Sequence, residues 1–291
     1  MKDLFNYHHK VCIVTGASSG MGKSATKYLV DLGAKVYALD VNDCPVNGIE
    51  KFIKVNLADK EAIDEVFKQI PHAIDCFFGI AGLSGSKTDY RTTFHVNYTS
   101  NMVICEKYLK DRMNENGSIL FVTSTAGVAW REQLDECNQI LGINEWDKVN
   151  EKLDEIIPEG TPGQMAYMYS KRLANAYSAK LAVELGTKKI RVNAILPGST
   201  DTGMKDEFAK MAGGIENMIK FAGLAGRLAE SDEMGKPIVF LNSDMASFIS
   251  GEELIIDYCD NAMKKLKLKP EFLNGPALMD KETLMKMLHK I

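Results

Sequence analysis

The chain has 291 residues, 45% hydrophobic and 25% charged, with a net charge of −4. That length and balance suit a soluble globular fold with a large core. The weak negative charge leaves no footprint for nucleic acid or an anionic membrane surface.

Short β-branched or apolar runs alternate with longer stretches of helical period. "VCIVTG" (Val11 to Gly16) reads as a first strand, and "GMGKSATKYLVDLG" as the helix it feeds. "AKVYALD" and "KFIKVNL" read as the next two strands, and "ADKEAIDEVFKQI" as a second helix. "IDCFFGIAG" is continuously apolar, as a strand covered on both faces should be. "NYTSNMVICEKYLKDRM" reads as a helix, "SILFVTS" as a buried strand, and "YSKRLANAYSAKLAVELG" as a long helix. "IRVNAILPG", a capped helix in "LAESDEMGKPIVFLNS" and a last strand "ELIID" complete the series. The alternation predicts an α/β fold: a doubly wound parallel sheet with helices on both faces. Two segments break it, Trp130 to Gly163 and the lysine-rich tail from Asn261 to Ile291. No linker sets either apart, so one domain over 1–291 is expected, with a helical insertion and a C-terminal extension.

No apolar run is long enough to span a bilayer. "MKDLFNYHHK" lacks the apolar core and cleavage site of a secretory leader. Cys12, Cys44, Cys76, Cys105, Cys137 and Cys259 form no CxxC pair, which suits reduced thiols and a cytoplasmic location. None of the five histidines stands at ligand spacing with them, so no metal is expected.

"TGASSGMG" (Thr15 to Gly22) follows the first strand and opens the first helix. Gly16, Gly20 and Gly22 allow a tight turn and close backbone approach. The open N–H groups of the helix start can then face a pyrophosphate. Asp40 ends the second strand, 18 residues after Gly22. Its carboxylate can accept from ribose hydroxyls and repel a 2′-phosphate, and Val41 and Asn42 add no positive charge. The reading is NAD rather than NADP. "DVND" also has plain turn chemistry.

"QMAYMYSKRLAN" holds Tyr167 and Tyr169 before Lys171. Tyr167 lies four residues before the lysine and shares a helix face with it. A nearby cation favours phenolate, so Lys171 is expected to lower the phenol's pKa toward working pH. Tyr169 fails that spacing and is read as a wall or core residue. Ser124 ends a strand at the carboxyl edge, where such sheets bind ligands. Alone, Asn97 would be a helix N-cap.

With its Gly-x-x-x-Gly-x-Gly turn and Tyr-x-x-x-Lys helix, the chain resembles the short-chain dehydrogenase/reductase family over about Val11 to Asp257. "GIAG", Asn97 in "HVNYTS", Ser124 in "VTSTAG" and Thr202 in "LPGSTDTGM" match further motifs in order. The family's paired asparagines before Ala81 and Gly82 are replaced by Gly79 and Ile80, and its usual Asp by Asn56. Ser124 and Tyr167 stand 43 residues apart, far more than the family usually needs. A long insertion there resembles the bacterial 3α-hydroxysteroid dehydrogenase/carbonyl reductase branch.

The resemblance implies an NAD(H)-dependent enzyme that interconverts a secondary alcohol and a ketone, with a hydroxysteroid or bile-acid hydroxyl as the leading substrate class. It makes Tyr167 the acid/base, with Ser124 on the substrate oxygen, Lys171 on the nicotinamide ribose and Asn97 holding a water. Gly16, Ser18, Ser19, Gly20, Met21, Gly22, Asp40, Asn56, Leu57, Ala81, Gly82, Pro197, Gly198, Thr200 and Thr202 would hold the cofactor with Tyr167 and Lys171. Met204 to Ala225 would form a lid. Trp130, Met165 and Met168 are read as substrate walls or as core. A homo-oligomer, dimer or tetramer, is expected. The rivals are a non-catalytic NAD-sensing protein on the same fold and a reductase of small non-steroid ketones. Enoyl reduction calls for a wider tyrosine-to-lysine spacing.

Overall fold

The structure, a computed structural model, describes residues 3–220 and 222–268. Nine strands occur among them: β1 (Val11–Thr15), β2 (Lys35–Asp40), β3 (Lys51–Lys54), β4 (Ile74–Gly79), β5 (Met113–Val122), β6 (Arg191–Pro197), β7 (Thr200–Asp201), β8 (Ala229–Glu230) and β9 (Glu253–Ile256). Seven form one sheet in the order β3-β2-β1-β4-β5-β6-β9, parallel throughout. β7 and β8 pair separately. The chain runs outward from β1 to β3 and returns on the other side as β4. The carboxyl ends of β1 and β4 therefore bound the crevice in which such sheets hold ligands.

Successive side chains of a strand point to opposite faces. Ile13, Phe77 and Ile119 enter one buried cluster, and their neighbours Val14, Phe78 and Leu120 enter another. This is why the strand sequences read as unbroken apolar runs. Phe77 and Phe78 are both fully buried, and each contributes roughly 1.5–3 kcal/mol by burial. The first face is covered by the helix Lys60–Phe67, a helical stretch over 90–112 and the long helix Gly163–Gly186. The second is covered by Gly20–Asp31 and Ser231–Asn242, which Ser24 and Tyr28 tie together through Asp232.

The helical stretch starts before Asn97. Asp89 caps it, its carboxylate accepting from the Thr92 N–H at 2.8 Å. Asn97 is therefore no N-cap; it lies in a π segment, His95–Thr99. Such a bulge rotates side chains out of α register and often marks a functional site.

The insertion is helical, with a 3-10 turn Arg131–Gln133 and helices Leu134–Leu141 and Trp146–Ile156. Cys137, Ile140, Trp146, Val149 and Leu153 join the first core cluster. Trp146 lies 4.3 Å from the His95 ring, centroid to centroid. Asp147 pairs with Lys60 at 2.6 Å, and Arg91 donates to Asn150 at 2.9 Å. The C-terminal extension begins with a helix at Asp260–Lys265; its residues 269–291 lie outside the described residues.

Candidate active site

Gly16 and Gly20 both have positive φ, 70° and 50°, a region that favours glycine. A Cβ on Gly22 would stand 2.0 Å from the Gly16 carbonyl oxygen, and one on Gly16 2.8 Å from the Ala81 Cα. The turn is thus closed against both its own helix and the end of β4. Ser19 makes no side-chain cap, and the first helical turn carries no acidic residue. Positive N–H dipoles and a backbone cradle with no room for a side chain at Gly16 or Gly22 suit a pyrophosphate. Across from Gly20 sits Thr202, whose Cβ and Cγ2 would be 3.5 Å from a Cβ there.

Asp40 lies where the strand reading put it. Its two oxygens accept from the Ser18 N–H at 3.0 Å and the Asn42 N–H at 2.9 Å. The turn chemistry of "DVND" is therefore present, and it also orients the carboxylate beside the glycine turn. Asn56 is exposed and caps its own turn through Ala58 N–H at 3.0 Å, while Leu57 beside it is buried.

Ser124 lies two residues past β5 and caps a 3-10 turn, accepting from the Ala126 N–H at 3.1 Å. Tyr167 and Lys171 come from the long helix, and the Lys171 Nζ stands 5.7 Å from the Tyr167 ring centroid. Ser124 faces the Tyr167 hydroxyl closely enough to lower its pKa, yet burial raises that pKa more. The ring itself stays partly open to the cleft. The net direction is upward, opposite to the one expected from the Tyr–Lys spacing. The reason is the burial of the phenol itself. Lys171 is deeply buried too: desolvation lowers its pKa to about 8, and its ammonium donates to the Val122 carbonyl at 3.1 Å. Desolvation disfavours the charged form of each group.

Asn97 clamps the loop after β4. Its Oδ1 accepts from the Leu83 N–H at 2.7 Å, and its Nδ2 donates to the Leu83 carbonyl at 3.0 Å and to Ser170 Oγ at 3.2 Å. A Cβ on Gly82 would lie 3.4 Å from Asn97 Oδ1 and 3.5 Å from Lys171 Nζ. The structure thus brings together Asn97, Ser124, Tyr167, Lys171, Gly82 and, through the Gly16 contact, Ala81.

Past β6, the Gly198 N–H donates to Ile256 O at 2.9 Å, and a Cβ there would meet the Asp257 Cβ at 2.9 Å. Pro197 is buried at the end of β6, Thr200 donates to the Gly198 carbonyl at 3.0 Å, and Met21 is half-buried. Among the residues read as substrate walls, Trp130 turns to the far sheet edge. Its indole N–H donates to Glu253, the first residue of β9, which also takes Arg131 at 3.0 Å. Met165 is half-buried, and Met168 is buried but belongs to neither core cluster. Tyr169 is a docking residue: its hydroxyl donates to the Glu136 carbonyl of the insertion at 3.1 Å.

Two contacts escaped the sequence reading. Thr15 Oγ1 accepts from the Ile80 and Ala81 N–H groups at 3.0 and 3.2 Å, tying β1 to β4 across the crevice. Phe208, in the helix Lys205–Met211, stands edge-on to Tyr167, centroids 5.2 Å apart. The signal for Phe208 was available: it is the lone large apolar residue in "KDEFAK".

Among the described residues no helix is long and apolar enough to cross a membrane, and no cluster could hold a metal ion. A family model described as "short chain dehydrogenase" matches residues 10–134, and one described as "Enoyl-(Acyl carrier protein) reductase" matches 157–258. The stretch between the two matches falls in the insertion. A coniferyl-alcohol dehydrogenase from a Pseudomonas strain is 30% identical, over 86% of this chain and 95% of its own. A 3-alpha-hydroxysteroid dehydrogenase/carbonyl reductase from Comamonas testosteroni is 24% identical, over 85% and 95%. The solved 3-alpha-hydroxysteroid dehydrogenase of Pseudomonas sp. B-0831, complexed with NADH, superposes with a TM-score of 0.72 at 21% identity, covering 88% of this chain and 99% of its own. The hydroxysteroid branch is therefore one of several similar groups and does not single itself out. The chain belongs to the short-chain dehydrogenase/reductase family and is an oxidoreductase acting on CH–OH donors and their carbonyl counterparts.

Proposed function

We propose that the protein is an NAD(H)-dependent alcohol dehydrogenase/ketone reductase in which Tyr167 moves the hydroxyl proton. The observation that carries this is the convergence of Ser124, Tyr167 and Lys171 beside a glycine turn closed to side chains at Gly16 and Gly22. The turn fits a dinucleotide: Gly16 to Gly22 would take the pyrophosphate, Asp40 the adenosine ribose, and Lys171 and Thr202 the nicotinamide end. Asp40 beside the turn favours NAD over NADP, since a 2′-phosphate would meet its charge. NAD, when bound, supplies the hydride chemistry.

The chain's own residues handle the proton. Burial keeps the Tyr167 phenol protonated near neutrality, ready to donate to a carbonyl oxygen; in the reverse direction it receives the proton. Ser124 can bond the same oxygen as charge develops on it. Lys171, with a pKa lowered to about 8, remains largely cationic at pH 7 and makes the phenolate less costly whenever it forms. Asn97 fixes the loop against which Lys171 lies.

A secondary hydroxyl on a hydroxysteroid or bile acid is the leading substrate class, supported by relatives named as hydroxysteroid dehydrogenases. The relative named coniferyl-alcohol dehydrogenase supports a second reading, an aromatic allylic alcohol. Purified protein assayed with NAD and NADP against hydroxysteroids, coniferyl alcohol and small ketones decides between them. Turnover with NAD on a steroid hydroxyl is expected. Turnover confined to coniferyl alcohol would move the substrate class, and a preference for NADP would overturn the cofactor reading. No turnover of any alcohol or ketone, in either direction, by folded protein would overturn the enzymatic one.

A further inference from the structure

The helix Lys205–Met211 contains no buried residue, so packing alone does not hold it over the cleft. Its attachment comes from a few side chains. The Glu207 carboxylate accepts from the Ser84 hydroxyl and pairs with Lys87 at 2.7 Å. The next residue, Phe208, meets the Tyr167 ring. Lys205 pairs with Asp201 at 2.9 Å at the helix start.

We propose that Glu207 is a positioning residue for the reaction: its grip on Ser84 and Lys87 seats Phe208 against Tyr167 and so sets how a substrate reaches the phenol. The inference rests on Tyr167 being the proton-transfer residue. Ser84 is a firm anchor, 2% exposed and adjacent to Leu83, whose N–H and C=O are both held by Asn97. Asn97 in turn donates to Ser170 Oγ, which donates to the Tyr167 carbonyl at 3.0 Å. A closed circuit therefore runs from Tyr167 through Phe208, Glu207, Ser84, Leu83, Asn97 and Ser170 back to Tyr167. Opening it at Ser84, Leu83, Asn97 or Ser170 disturbs the core or the catalytic helix; opening it at Glu207 frees only the helix Lys205–Met211.

The grip has the strength of a latch. Lys87 is 79% exposed, and exposed ion pairs contribute little. The bond to a buried hydroxyl carries more. Lys87 and Ser84 both hold the Glu207 carboxyl below its ordinary value, so the charged, gripping form prevails near neutrality. Gly213 and Gly214, with φ of 77° and 127°, follow the helix and can absorb its movement. With Phe208 seated, the approach to Tyr167 is narrowed on one side by an aromatic ring, which penalises bulk next to the reacting carbon.

Two measurements on the full chain test this. Hydrogen exchange of the 205–211 amides needs no substrate: Glu207→Ala is expected to speed it about tenfold or more, with the long helix unchanged. In steady-state assays on whichever alcohol the wild type turns over, Glu207→Ala is expected to raise the alcohol KM about tenfold, with kcat falling less and the NAD KM unmoved. Glu207→Gln, which can still bond Ser84, should recover most of both effects. Phe208→Leu should shift the kcat/KM ratio between bulky and slim alcohols in the same direction as Glu207→Ala. Unchanged exchange at 205–211 overturns the latch, and a loss in kcat alone or in NAD affinity overturns the positioning role. If the wild type turns over nothing, the enzymatic reading fails while the exchange experiment still decides the latch.

Discussion

At the scale of single residues, the site is governed by desolvation. Tyr167 and Lys171 were legible in the sequence because a four-residue spacing places them on one helix face. The direction of the tyrosine's pKa was not, because it depends on how deeply the fold buries the phenol itself. Tyr167→Phe keeps the ring and its contact with Phe208 but removes the transferable proton. The expected loss in kcat/KM is about 10²- to 10⁴-fold with unchanged melting, read by steady-state assay and circular dichroism. Lys171→Met tests the cost of burying the charge. Its folded pKa is about 8 against 10.5 ordinarily, so the unfolded chain holds the proton more tightly. Below pH 8 both states are protonated and the full penalty is present; between pH 8 and 10.5 the folded state has shed the proton, and stability rises with pH. Lys171→Met should therefore be inactive yet more stable at pH 7, by about 1–3 kcal/mol. That gain should shrink toward zero by pH 10.5 in denaturant titrations.

At the scale of elements, periodicity carried what burial on two faces dictates and missed what a few polar contacts decide. Val11 to Thr15 and Ile74 to Gly79 read as strands because helices cover both sheet faces, leaving no polar alternation. Apolar spacing starts the helix over 90–112 at Asn97, whereas the Asp89 cap lies a full segment earlier. The π segment that turns Asn97 onto Leu83 has no signature in apolar spacing. Ser84 and Glu207 were equally hidden, since each looks like ordinary surface until the loop and helix meet, whereas Phe208 stands out as the lone large apolar residue of "KDEFAK". The glycine turn was the most legible element, and its geometry gives a sharp expectation. Gly22→Ala puts a methyl 2.0 Å from a backbone oxygen, a clash no rotamer relieves. It should lower stability by about 2 kcal/mol or more and abolish NAD binding by calorimetry, whereas Gly142→Ala, with nothing near its Cβ, should do neither.

At the scale of the whole molecule, the open matter is whether the insertion behaves as a part of the enzyme or as a passenger on it. Sequence marks it as a helical insertion but gives neither its helix bounds nor its docking, which rests on tertiary pairs: Trp146 on His95, Asp147 on Lys60, Asn150 on Arg91 and Glu136 on Tyr169. Burial forces the His95 pKa down to about 4, so the imidazole stays neutral through the physiological range and can lie against the indole without a stranded charge. We propose that the chain folds as one cooperative unit. Trp146 is 7% exposed, and Trp146→Ala should cost about 3–5 kcal/mol of global stability if the insertion shares the core's transition. The two tryptophans allow a direct check. Trp130→Phe leaves Trp146 as the sole indole, reporting on the insertion, while far-UV circular dichroism reports on the sheet and its helices. In urea the two signals should change together, with one midpoint and one slope. An earlier midpoint for Trp146 fluorescence would show the insertion melting off a sheet that stands without it. It would also predict that Trp146→Ala leaves the main transition where it was, because the lost packing would belong to a unit the rest of the protein does not need.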